Sequence, residues 1–153
     1  MSAYDSTLDT LKHSRRVDEL LLQMVSDLLA RVGKHDASKC EPPEKAIFDE
    51  YTPKLRDSTY GSDEYKGYLV GMGAGLRHHY ETNRHHPEHF PDGVAGMTLV
   101  DVFEMLADWK AAGERHADGN MARSLAVQRG RFGLSDQLFK VLENTAYEAG
   151  WLR

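Results

Sequence analysis

Apolar residues in this chain recur at the three- and four-residue spacing of a helix face, and no stretch offers a convincing strand or hairpin signal. Leu8, Leu11, Val17, Leu20, Leu21 and Met24 follow Ser6, a candidate cap. Leu99, Val102, Phe103, Leu106 and Trp109 follow Thr98, with Asp101 three residues on as in a capping box. Between them, Pro42-Pro43 opens a helix over 44–51 that Thr52-Pro53 ends or kinks, and Ser62 starts a long helix to about residue 84, stopped by Pro87. Further on, a helix over 121–128 ends at Gly130 and Gly133, and one over 136–149 begins at Ser135 and stops at Gly150. The expected fold is all-α, six or seven helices in a single compact domain over residues 1–153, a length typical of one domain.

The first helix has two readings. Unbroken to Val32, it runs for about 27 residues and holds His13 and His35 about 33 Å apart. Broken at Ser26-Asp27, where a serine cap precedes an acidic first-turn residue, it gives antiparallel arms of about 18 and 14 Å that bring the two histidines together. The broken form is the one expected.

Composition enters by exclusion. With 41% hydrophobic and 28% charged residues, neither a disordered nor a fibrous class is indicated. A net charge of -5 disfavours a nucleic-acid partner, which draws on concentrated lysine and arginine. Cys40 has no second cysteine to pair with, and no apolar run reaches membrane-spanning length; a reduced, cytoplasmic setting without membrane contact is expected. Oligomeric state is open, a homo-oligomer included.

Five of the eight histidines fall between His78 and His89. Imidazole nitrogens are the commonest protein ligands for transition metals. Two other stretches suit the same purpose. His35-Asp36 offers an imidazole and a carboxylate in adjacent positions, and Asp101, Glu104 and Asp108 line one face of the helix that follows Thr98. The three stretches are read as one metal site. His79, Asn83 and His86, at i, i+4 and i+7 of a continuing helix, form one stripe, with His78 and His85 beside it. His89 and His116 are read as surface or capping residues. Gly71-Met72-Gly73-Ala74-Gly75 lacks the spacing of a dinucleotide loop and is read as allowing close helix packing.

The order His13, His35-Asp36, Asp108 resembles the H…HD…D ligand pattern of the HD-domain metal-dependent phosphohydrolases, a helical superfamily acting mostly on nucleotides and other phosphate esters. His35-Asp36-Ala37-Ser38-Lys39 is similar to the HD-x-x-K form of its cyclic-dinucleotide branch. Lys12-His13, His35-Asp36-x-Ser38-Lys39, His78-His79 with Asn83 and His85-His86, and Glu104-Met105-x-x-Asp108 more closely resemble an uncharacterised family of phage and bacterial proteins, over roughly residues 11–112. That family brings no established activity.

The resemblance implies an HD-like fold in which His13, His35, Asp36 and Asp108 hold a divalent ion (manganese, iron, cobalt, nickel or zinc), while His79 and His86 hold a second ion or contact the leaving group. It further implies that Lys39 clamps a phosphate oxygen and that Glu104 or Asp101 orients the attacking water. Asn83, Arg84 and His85 join Lys39 on the substrate side. The expected ligand is a small phosphorylated molecule, a nucleotide foremost. Two rivals stand beside hydrolysis: a non-catalytic protein that sequesters a nucleotide or signal, and a helical protein with a structural metal site.

Overall fold

A computed structural model describes residues 4–59, 61–115 and 119–152. Among these residues there are seven α-helices and three short 3-10 turns, and no strand. No described helix is long and apolar enough to cross a membrane. The chain divides into two units, Met1–His35 and Asp36–Arg153.

The first unit is built on α1, Thr7–Leu29. Asp5 rather than Ser6 satisfies its first turn, accepting hydrogen bonds from the Thr7 amide at 2.9 Å and the Thr7 hydroxyl at 2.6 Å. The expected break at Ser26-Asp27 is absent: the helix continues, and the Ala30 amide donates to the Ser26 carbonyl at 3.0 Å. A serine cap contributes about 1 kcal/mol, whereas nucleating a second helix costs roughly 4 kcal/mol. The unbroken ladder therefore wins, and the antiparallel arms that would have joined His13 to His35 do not form. His13 is exposed on α1, about 24 Å along the axis from Leu29 at 1.5 Å per residue.

The second unit holds α2 (Glu44–Asp57), α3 (Asp63–Gly71), α4 (Gly73–Thr82), α5 (Leu99–Gly113), α6 (Met121–Phe132) and α7 (Asp136–Glu148). Helix α2 runs past Pro53, because the carbonyl that loses its partner belongs to exposed Asp49 and can turn to water. The single helix expected over 62–84 is instead two, parted at buried Met72. Glycines there weaken the helix by about 1 kcal/mol each and admit a close neighbour. A Cβ on Gly71 would stand 2.5 Å from the Tyr51 hydroxyl, and one on Gly75 would stand 3.0 Å from Ile47 Cγ2, so α2 packs directly on α3 and α4.

Helices α5, α6 and α7 enclose the main core. Val102, Met105, Leu106 and Trp109 of α5 meet Met121, Leu125, Leu134, Leu142 and Ala146. The Trp109 ring lies nearly parallel to Phe132, centroids 6.1 Å apart. Helix α6 runs through Gly130 to Phe132, beyond the expected 121–128, and Gly133, one of the two glycines expected to end it, does so at φ 60°. The Thr98–Asp101 capping box forms as expected and fixes the start of α5, so one face of this helix is anchored in the core while Glu104 and Asp108 project elsewhere.

Candidate metal centre

Asp36 has φ 58° and ψ 11°, a left-handed conformation uncommon for a residue with a side chain, and it opens the turn Ala37–Cys40. Its two oxygens serve different partners. Oδ2 accepts from Lys39 Nζ at 2.5 Å, while Oδ1 lies 3.2 Å from His79 Nε2 and 3.5 Å from His85 Nε2. His86 Nε2 is 2.9 Å from His79 Nε2. Ligand atoms of Asp36, His79, His85 and His86 all lie within 4.8 Å of one another. Donors placed about 2.1 Å from an ion at tetrahedral corners would be ~3.4 Å apart, and the observed separations bracket that value. The donor set, three imidazoles and a carboxylate, fits a transition metal.

The histidines converge by a route other than the expected helical stripe. Helix α4 stops at Thr82, and Asn83 leaves it at φ −114° and ψ 112°. The Asn83 amide donates to Ser38 Oγ at 2.8 Å and to the His79 carbonyl at 2.9 Å, bracing the helix end. Pro87 then holds His86 in extended backbone at φ −99° and ψ 127°. His79 thus comes from the helix, and His85 and His86 from the chain that returns past it; the His85 and His86 rings lie 4.2 Å apart.

Carboxylates surround the imidazoles. Glu44, fully buried at the start of α2, meets His78 Nδ1 at 2.7 Å and His79 Nδ1 at 2.9 Å, and accepts from Ser38 Oγ at 3.0 Å. Burial works to raise its pKa, but these hydrogen bonds hold it below the usual carboxylate value. Glu104 Oε1 lies 3.4 Å from His85 Nδ1. Ligand atoms of Asp108, one turn further along α5, and Asp36 fall within 4.8 Å of each other.

Burial also opposes ionisation of Asp36, yet His79, His85 and Lys39 outweigh it and keep the carboxyl well below its ordinary range. His86 is pushed down to about 3, first by burial and then by His85 and His79, with Asp108 working against them. At neutral pH the pocket therefore presents a carboxylate and at least one neutral imidazole, the protonation states that bind metal.

Comparison with known protein families matches residues 2–148 to a family of unknown function, DUF5662. The chain belongs to that family. No curated protein and no solved structure matches it.

Among the sequence-predicted residues of this DUF5662 chain, the fold gathers Asp36, Lys39, His79, His85, His86, Glu104 and Asp108. His35 immediately precedes Asp36 and closes the first unit. Four of the sequence-predicted residues are placed or engaged otherwise than expected. His13 belongs to none of the ligand clusters among the described residues, since the unbroken α1 carries it away from Leu29. Asp101, fully buried, is committed to structure: it accepts from the Thr98 amide at 2.9 Å and hydroxyl at 2.8 Å, and from Arg84 Nε at 3.1 Å and Nη2 at 2.9 Å. Both its oxygens are thus engaged, and Arg84, expected on the substrate side, is its partner. Asn83, also expected on the substrate side, braces the end of α4 through Ser38 and the His79 carbonyl, with its side-chain nitrogen 3.0 Å from His79 Nδ1.

His89 Nδ1 lies 3.1 Å from the Tyr80 carbonyl, in keeping with a capping role. His116 lies outside the described residues. Sequence reading missed Glu44, because an acidic residue in a first helical turn is ordinary for its effect on the helix dipole. A general signal was present all the same: a ligating histidine needs an acceptor for its other nitrogen.

Proposed function

We propose that this chain is a metal-dependent phosphohydrolase acting on a nucleotide or related small phosphate ester, in the cytoplasm. The observation that carries the reading is the convergence of Asp36 Oδ1 with Nε2 of His79, His85 and His86, beside the Lys39 ammonium. These four side chains would hold one divalent ion, with manganese, iron, cobalt, nickel and zinc all admissible. What such an ion supplies when bound is a water of lowered pKa and neutralisation of phosphoryl charge.

The remaining chemistry belongs to the chain. Lys39 is partly exposed at the edge of the cluster and can exchange its contact with Asp36 for a phosphate oxygen. Glu104 steadies His85 and is the carboxylate retained for orienting a water, now that Asp101 is engaged by Arg84 and Thr98. Asp108, on the same face of α5, adds negative charge beside Asp36 and favours a cation there.

A structural metal site is the second reading, favoured by the near-complete burial of His79 and His85, since four protein donors can close a tetrahedral shell. The test is metal content of protein purified without a histidine tag, wild type against Asp36→Ala and Asp108→Ala, followed by a phosphate-release screen on the metal-loaded form. Near-stoichiometric metal in wild type, lost from Asp36→Ala and reduced in Asp108→Ala while both remain folded, with phosphate released from a nucleotide, supports hydrolysis. Bound metal that raises the melting temperature without any turnover points to the structural reading. No metal after reconstitution refutes both.

A further inference from the structure

We propose that Glu44 is a positioning residue of the metal centre: it holds the proton on Nδ1 of His78 and His79 and so turns the Nε2 lone pair of His79 into the cluster. The proposal rests on the metal reading above and adds a residue that neither the motif nor the family assigns.

Glu44 has no exposed surface, and both its oxygens are occupied. Oε1 faces His78 Nδ1 at 2.7 Å, and Oε2 faces His79 Nδ1 at 2.9 Å while accepting from Ser38 Oγ at 3.0 Å. A buried carboxylate needs hydrogen-bond donors, because its desolvation otherwise costs several kcal/mol. A carboxylate oxygen can only accept, so each imidazole must present N–H at Nδ1. A neutral imidazole carries one proton, which leaves Nε2 as the donor atom for a metal.

The geometry of His79 gives this choice its consequence. Its Nε2 stands 3.2 Å from Asp36 Oδ1 and 2.9 Å from His86 Nε2, among the other candidate ligand atoms. In the opposite tautomer Nδ1 could accept from the Asn83 side-chain amide at 3.0 Å and Nε2–H could donate to Asp36 Oδ1, but the unprotonated Nδ1 would stand 2.9 Å from the buried Glu44 oxygen, two acceptors in contact, and Nε2–H would block the cluster. Glu44 lies at the first residue of α2, whose packing against α4 through Gly75 and Ile47 fixes its distance from both histidines. Phe48, one turn along α2, sets the His79 ring edge-on at 5.6 Å and limits its rotation.

Glu44→Gln keeps the shape but offers one acceptor and one amide donor, so only one of the two histidines can keep Nδ1–H. Long-range proton–nitrogen NMR of metal-free wild type at pH 8 should find Nδ1 of His78 and His79 protonated, and Glu44→Gln should switch at least one of them. Zinc affinity, measured by chelator competition, should fall 10- to 100-fold in Glu44→Gln, the range for loss of a carboxylate behind a histidine ligand. An unprotonated His79 Nδ1 in wild type overturns the proposal, and so does a switched tautomer with unchanged zinc affinity. If Glu44→Gln does not fold, the wild-type spectrum still decides the point. Wild type that binds no zinc yet shows both Nδ1 protons refutes the metal reading and leaves Glu44 only its orienting contact.

Discussion

Asp101→Ala separates a structural carboxylate from a catalytic one. The carboxylate of Asp101 is wholly buried and accepts, among its hydrogen bonds, two from Thr98 and two from the Arg84 guanidinium. Loss of the helix cap costs about 1 kcal/mol. Breaking a buried ion pair costs roughly 3–5 kcal/mol, and the low end applies because the Arg84 side chain is 44% exposed and regains water. The sum is about 4 kcal/mol. With a urea m-value of ~2 kcal/mol/M, the unfolding midpoint should fall by about 2 M. Asp101→Asn keeps an acceptor for Thr98 and loses mainly the charge on Arg84, so about half that shift is expected. Metal bound per folded molecule should not change in Asp101→Asn. A midpoint shift under ~0.5 M for Asp101→Ala, or loss of metal from a fully folded Asp101→Asn, would refute the structural assignment.

Two further outcomes follow from packing and charge. Gly75→Val should destabilise by about 2 kcal/mol through overpacking against Ile47, and Ile47→Ala in the same chain should recover part of it; strictly additive effects in a double-mutant cycle would mean that α2 and α4 do not meet there. Metal-free protein should lose stability in acid. The His86 value of about 3 when folded lies below 6.5 when unfolded, so the unfolded chain binds more protons as pH falls. Stability complete above pH 6.5 drops by ~2 kcal/mol at pH 5 from His86 alone, and the lowered Asp36 carboxyl adds a further loss below its unfolded value of 3.8. A urea midpoint that stays constant or rises from pH 7.5 to pH 5 would contradict this.

By itself the sequence determined the helical class, the caps at Ser62, Thr98 and Ser135, the apolar face of α5 and the stretches that supply the clustered histidines and carboxylates. These depend on interactions within about four residues, and such spacings are legible in one dimension. Only tertiary structure decided among chemically equivalent candidates. Asp101 and Glu104 share a face of one helix, yet Arg84, 17 positions earlier in the chain, claims the first, while His85 stands beside the second. Glu44 resembled any first-turn acid until packing of α2 on α4 brought it to His78 and His79, 34 and 35 positions away. The missing break in α1 has a different cause: a serine cap signal is local, but whether it acts depends on the cooperative cost of starting a second helix. Partner choice at long sequence separation is settled by which surfaces pack, and residue types alone carry no record of that choice.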